Sequence, residues 1–241
     1  MGSNDFRERT KLLLGETKLE KLKSSHVLIV GLGGVGAYTA EMICRAGVGR
    51  MTIIDCDDIS ISNINRQLIA LHSTVGKSKT EVLAERLKDI NSNIKLTIIR
   101  EFLGEDNVDS ILDSTKFDYV VDAIDTLTPK AALVYGSLKR GYPLVSSMGS
   151  GGKTDPTKVE ITDISNSHHC RLAFALRKRL HRKDIRTGFW CVFSPEEIRE
   201  GAMVLVYEDN KKSNVGTLSY MPTVFGCHCA SVVIRGLIGE M

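Results

Sequence analysis

Between residues 26 and 147 the chain alternates short apolar runs with longer stretches of helical period. Residues 26–30 form a continuous apolar strand pattern, and a glycine-rich turn at 31–36 gives way to helical spacing at Tyr38, Ile43 and Cys44. Residues 51–55 read as the next strand, 76–90 as a helix with Val82, Leu83 and Leu87 inward, and 95–99 as an alternating strand. A strand at 118–121, a helix at 130–139 and a strand at 143–147 repeat the same order. Strands separated by helices predict a mostly parallel, Rossmann-like sheet flanked by helices.

Both flanks differ from this pattern. Residues 10–23 carry Leu12, Leu13, Leu19 and Leu22 among charges, which predicts a short amphipathic helix or helix pair suited to a lid or an interface. After Gly149, residues 158–162, 192–194 and 204–207 read as strands, 171–182 as a helix, and 224–237 as a final helix with Gly226 as a weak point. These strands are expected to add antiparallel members to the same sheet. The chain is thus expected to be one α/β domain: a helical arm (1–25), a nucleotide-binding half (26–148) and a substrate-binding half (149–241).

Composition narrows the class. With 241 residues, 42% hydrophobic and 25% charged, the chain suits one globular domain with a sizeable core. Residues 1–4 are polar with no apolar run behind them, unlike a secretory signal. Residues 220–238 are the most apolar late stretch, but Pro222, His228 and Arg235 interrupt it, so no membrane span is expected. Six cysteines without CxxC pairs read as reduced thiols of a cytoplasmic protein. A net charge of +3 is too small to imply nucleic-acid binding by itself, so any basic footprint must be local.

The turn Gly31-Leu32-Gly33-Gly34-Val35-Gly36 lies between a strand and a helix, where backbone amides and the helix dipole can hold a phosphate. Asp55 ends the following strand, where its carboxylate can accept ribose hydroxyls. Glycine loop and acid together suit NAD and ATP alike. The choice comes from Asp57, Asp58, Ser62, Asn63, Arg66 and Gln67, followed by Lys79 in the next helix. An amide, a guanidinium and an ammonium exceed what NAD needs and suit a triphosphate. Asp122 and Asp125 bring two carboxylates to the end of a later strand, as a Mg²⁺ site requires.

This set resembles the ubiquitin-activating, ThiF-like adenylyltransferase superfamily. The resemblance implies a nucleotide site of Gly31, Gly33, Gly34, Gly36, Asp55, Asp57, Ser62, Asn63, Arg66, Lys79 and Asp125. It implies ATP as cofactor, Mg²⁺ on Asp125, catalytic roles for Arg66, Lys79 and Asp125, and a homodimer across which Arg9 serves as an arginine finger.

Motifs of the second half carry the likeness further. Pro129-Lys130-Ala131-Ala132, Gly149-Ser150-Gly151-Gly152, Asp155-Pro156-Thr157 and Cys191-Val192-Phe193-Ser194 are similar to the tRNA threonylcarbamoyladenosine dehydratase family, although Trp190 before the last motif departs from it. That resemblance implies a tRNA partner, adenylation of a carboxylate on a modified adenosine, and possible sulphur-transfer partner proteins. Arg171, Arg177, Lys178, Arg179, Arg182 and Lys183 supply a local basic footprint for the tRNA, above an inward stripe of Leu172, Leu176 and Leu180. Activation of the C-terminus of a ubiquitin-like or sulphur-carrier protein is the competing reading, and a catalytically silent nucleotide-binding partner is a third. The carrier reading predicts a role for Cys170 or Cys191. Neither is expected to be a nucleophile, because both sit in apolar or aromatic surroundings. No metal is expected at Cys227-His228-Cys229, whose side chains a helix would splay apart.

Overall fold

The computed structural model describes residues 5–208 and 211–241, so the polar start at 1–4 lies outside the described residues. Helices α1 (Glu8–Leu14) and α2 (Glu16–Ser24) break at Gly15, whose φ of +79° favours glycine. The main unit then runs β1 (His26–Val30), α3 (Gly36–Arg45), β2 (Arg50–Ile54), α4 (Lys79–Ile90), β3 (Lys95–Ile99), α5 (Val108–Asp113), β4 (Tyr119–Asp122), α6 (Leu127–Lys139) and β5 (Leu144–Ser147). It continues with β6 (Glu160–Asp163), α7 (Arg171–His181), β7 (Trp190–Phe193), β8 (Met203–Glu208), β9 (Lys211–Val215) and α8 (Tyr220–Ile238).

Seven strands form one sheet in the order β3-β2-β1-β4-β5-β7-β6, parallel except for the edge pair β6 and β7. Side chains alternate along each strand, so the sheet needs two cores. Val27 and Ile29 face α3, α4 and α8 through Ala40, Ile43, Leu87, Phe225 and Val233. Leu28 and Val30 face α5, α6 and α7 through Leu112, Val134, Leu176 and Leu180. From β1 the chain winds outward to β2 and β3, then crosses back to β4 on the other side of β1. The loops leaving β1 and β4 therefore diverge, and this switch point opens a crevice at the carboxyl edge of the sheet.

The later elements differ in detail from expectation. β7 joins β5 in parallel, so only β6 adds an antiparallel member, and residues 204–207 fall in a separate hairpin of β8 and β9. The final helix starts at Tyr220, with Pro222 in its first turn where an amide donor is dispensable. Gly226 is a contact point and not a weakness: a Cβ there would lie 2.8 Å from Tyr38 Cβ and from Val35 O, so its bare Cα lets α8 approach α3. α8 is long and apolar enough to cross a membrane by length and composition, but Phe225, Cys229, Val232 and Val233 are fully buried within this fold. In the arm, Leu19 and Leu22 pack inward while Leu12 and Leu13 stand 82% and 83% exposed.

Candidate nucleotide site

The glycine turn sits at the switch point because neighbouring backbones leave no room for side chains. Val30 pairs with Asp122, and one residue on, Gly31 at φ +87° would place a Cβ 2.7 Å from Ala123 O. A Cβ on Gly36 would fall 1.7 Å from Gly31 O, and one on Gly34 would meet Pro222 Cβ at 2.8 Å. The turn thus closes on itself, held between β4 and the start of α8. Asp55 is fixed beside it. Its Oδ2 accepts the Leu32 amide at 2.6 Å and its Oδ1 the Asp57 amide at 2.8 Å. Burial pushes the Asp55 carboxyl above the ordinary aspartate range, against the opposing pull of the Lys79 ammonium and the two amides. Each oxygen retains a further lone pair, which is the arrangement a pair of ribose hydroxyls needs.

The polar segment after β2 folds over the same edge. Asn63 is buried in a short 3₁₀ turn and accepts the Ser60 amide at 3.1 Å, which leaves its own NH₂ as a donor. Ser62 is exposed. Arg66 is half-buried and braced by the Ser62 carbonyl and Asn65 Oδ1, both at 2.8 Å. Lys79 opens α4 as a buried ammonium 2.6 Å from Asp57 and 3.9 Å from Asp55. Gln67 also belongs here: it is buried, its Oε1 has no hydrogen-bond partner, and its Nε2 lies 3.6 Å from the position of a Cβ on Gly33. The sequence reading named it in the polar run but did not place it among the nucleotide contacts.

The sequence reading brought Asp122 and Asp125 to one strand end and gave the Mg²⁺ to Asp125; the fold separates the two acids. Asp122 is fully buried and bound by Lys130 Nζ at 2.6 Å, the Ser146 hydroxyl and the Ile124 amide at 3.1 Å. It is therefore unavailable to a metal. Asp125 lies exposed three residues further on. Lys130 was missed as a partner; it also donates to Ser147 O at 2.8 Å and so locks β4 to β5 beneath the Asp125 loop.

The basic helix α7 divides similarly. Arg177 turns inward, donating to the Ser167 carbonyl at 2.7 Å and to its hydroxyl, which corrects its placement on the outer face. Arg179 bonds Thr128 Oγ1 at 2.7 Å, and Lys183 lies 4.1 Å from the centre of the Tyr135 ring. Arg171, Lys178 and Arg182 are exposed. Ala173, Leu176 and Leu180 form the buried stripe, with Leu172 only half-buried. Cys170 and Cys191 are both buried, and burial pushes the Cys191 thiol up to about 12. Cys227 is exposed while Cys229 is buried, so the two diverge around α8.

Arg9 lies at the opposite end of the molecule. Its neighbour Arg7 packs against Gly47 in the turn before β2, at the amino edge of the sheet. Within one chain it does not meet the glycine turn.

A switch-point crevice with a closed glycine turn, a buried acid and convergent cations defines a nucleotide-binding α/β protein. More specifically, the chain belongs to the ThiF family, whose profile matches residues 7–241. It is similar to a tRNA threonylcarbamoyladenosine dehydratase of Bacillus subtilis, 38% identical over 97% of this chain and 94% of the relative. Its fold matches a crystal structure of an Escherichia coli tRNA N6-threonylcarbamoyladenosine dehydratase in complex with ATP, with a TM-score of 0.88, 34% identity and coverage of 99% and 97% of the two chains. A molybdopterin-synthase adenylyltransferase of E. coli is 36% identical, but over only 53% of this chain and 50% of its own length.

Proposed function

We propose that this chain is an ATP-dependent tRNA threonylcarbamoyladenosine dehydratase. The observation that carries the reading is where the similarity ends. Likeness to the carrier-protein adenylyltransferase is confined to about half the chain, whereas likeness to the dehydratases runs through the second half as well.

In the first step an oxygen of the substrate carboxylate bonds to the α-phosphorus of ATP, and pyrophosphate leaves with the electron pair of the broken bond. In the second, the ureido oxygen of the same side chain attacks the acyl carbon, AMP leaves, and the ureido nitrogen loses its proton. The sum is loss of one water from the nucleoside. The carboxylate is already ionised at neutral pH, so no base is needed for its attack. Ring closure is intramolecular, so positioning can lower the barrier by several kcal/mol without an enzyme nucleophile. A buried, protonated Cys191 agrees with this.

In this reading Asp55 receives the ribose. The Gly31–Gly36 turn and the Asn63 amide receive the phosphates, with Ser62 at the rim. Arg66 and Lys79 offset charge as the bond at phosphorus changes. Lys79 now rests on the exposed Asp57, a contact it would share with the incoming triphosphate. Mg²⁺ fits Asp125, an exposed carboxylate without an ion pair among the described residues; when bound, it would neutralise phosphate charge. Arg171, Lys178 and Arg182, exposed and without a bond among the described residues, are the cations offered to tRNA phosphates, with Arg177, Arg179 and Lys183 holding the helix in place. Arg9 reaches a nucleotide only if a second copy supplies it. The exposed Leu12 and Leu13 on α1, a helix with no buried residue, are the surface such a homodimer would cover. A cytoplasmic enzyme acting on tRNA completes the reading.

Incubation with ATP, Mg²⁺ and tRNA bearing threonylcarbamoyladenosine should yield AMP and a nucleoside lighter by one water. Asp125→Ala should abolish both products while the fold is retained. AMP formed only with a ubiquitin-like carrier protein would overturn the reading in favour of carrier activation.

A further inference from the structure

Three lysines among the described residues are buried. Lys79 is paired with Asp57 and Lys130 with Asp122, but Lys153, only 4% exposed, has no hydrogen bond or ion pair among the described residues. An ammonium largely withdrawn from water and bonded to no acid is costly, and an anion bound beside it would offset that cost. Burial also pushes its pKa below the ordinary lysine range, so a bound anion would restore what desolvation removes.

The backbone around Lys153 is held from several directions. Gly152, at φ +73°, donates to Gly216 O at 2.7 Å, and a Cβ on it would meet Ile198 at 2.9 Å. The Thr154 and Asp155 amides both donate to the Glu196 carboxylate, at 3.1 and 3.0 Å. Glu196 is thereby occupied by backbone, although it is the kind of acid that would otherwise have neutralised the lysine. Tyr220 OH donates to Thr154 O at 2.8 Å. Glu196 and Glu197 both favour the charged lysine through space, but neither is bonded to it among the described residues.

Position supplies the ligand class. The Gly149–Lys153 loop leaves β5 at the carboxyl edge, beside the loop from β4 that carries Asp125. It also adjoins the polar segment after β2: a Cβ on Gly151 would lie 3.2 Å from Thr217 Oγ1, and Thr217 O accepts Asn65 Nδ2 at 3.1 Å. The lysine thus stands on the substrate-binding half, next to the triphosphate side of the crevice. Resting on the function proposed above, we propose that Lys153 binds the carboxylate of the acceptor nucleoside and orients its oxygen toward the α-phosphorus of ATP. It gives up no proton in this role; its charge holds the anion until the new bond to phosphorus forms.

The test compares one tRNA with and without the threonylcarbamoyl group, using the full chain, Lys153→Met and Lys153→Arg. Filter binding should show the unsubstituted protein preferring modified tRNA by about tenfold or more, the scale of one charge-assisted contact. Lys153→Met should level the two affinities without changing ATP affinity or binding of unmodified tRNA, and Lys153→Arg should keep part of the preference. Equal weakening toward both tRNAs would make Lys153 a phosphate contact and overturn the proposal. So would an unsubstituted protein with no preference, or a Lys153→Met protein that keeps it. If Lys153→Met fails to fold, Lys153→Gln replaces it, and a thermal midpoint lost together with ATP affinity in both would assign a structural role instead. AMP release by the unsubstituted protein is scored separately. Its failure would remove the functional reading itself, and a surviving preference between the tRNAs would show which of the two had failed.

Discussion

Lys130→Met strands a carboxylate in the middle of the sheet edge. The lysine and Asp122 are both fully buried, and the ammonium also donates to Ser146 and Ser147, so removing it takes away the only cation bound to Asp122 among the described residues. Breaking a buried pair from one side costs about 3–5 kcal/mol. Protonation sets a ceiling on that cost. An aspartate protonates in water at about pH 3.9, so neutralising a stranded one costs about 4 kcal/mol at pH 7 and about 1.5 kcal/mol at pH 5. The sign follows: an acid that is harder to ionise in the fold than in the unfolded chain destabilises at neutral pH, and the defect fades as pH falls. Urea unfolding should therefore show Lys130→Met weaker by about 4 kcal/mol at pH 7, a fall in Tm of about 8–16 °C for a domain of this size, and by less than half as much at pH 5. Adding Asp122→Asn should recover part of the loss at pH 7. A penalty below about 1 kcal/mol at pH 7, or one that grows on acidification, would refute the view that this pair clamps β4 to β5.

Gly226→Ala should destabilise the protein by about 1–3 kcal/mol through overpacking against Tyr38 and Val35, despite a gain in helix propensity; an unchanged urea midpoint would contradict the close approach of α8 to α3. Cys191→Ala should retain most AMP release, and the Cys191 thiol, pushed up to about 12 by burial, should resist iodoacetamide at pH 7 to 8 while exposed Cys227 reacts; loss of turnover in a folded variant would revive a covalent relay. Lys178→Ala should leave Tm unchanged, weaken tRNA binding and lower its salt slope by about 1, whereas Arg177→Ala should lower Tm by losing its bonds to Ser167; the reverse pattern would exchange their roles.

Those two helix positions show what could be read from the chain and what could not. Periodicity identifies α7 as amphipathic, but Arg177 sits at the border of its buried stripe, and only the chain turn ending at Ser167 decides that it faces inward. The core of the candidate nucleotide site was legible for a local reason. Gly31 to Gly36, Asp55 and the segment through Gln67 follow directly from the ends of β1 and β2, so strand assignment alone carries them to one edge. Strand order beyond β5 was not legible, because residues 190–193 are as apolar as a central or an edge strand would be. Placing β7 parallel to β5 depends on α7 covering the second core.

The same distinction explains why three buried lysines carried different signals. Lys79 opens a helix beside acids already marked by spacing, whereas the partners of Lys130 and Lys153 are set by tertiary packing. Asp122 and Lys130 are neighbours in sequence, yet their charge is buried only because β5 supplies Ser146 and Ser147 on the far side. The backbone beside Lys153 is set by Ile198 and Gly216 against Gly152 and by Glu196, which accepts the Thr154 and Asp155 amides. The carboxyl edge is therefore built in two stages. Local spacing assembles the groups of the candidate nucleotide site at the switch point. The chain beyond β5 then completes that edge, with Lys130 clamped beneath it and Lys153, bonded to no acid among the described residues, beside it.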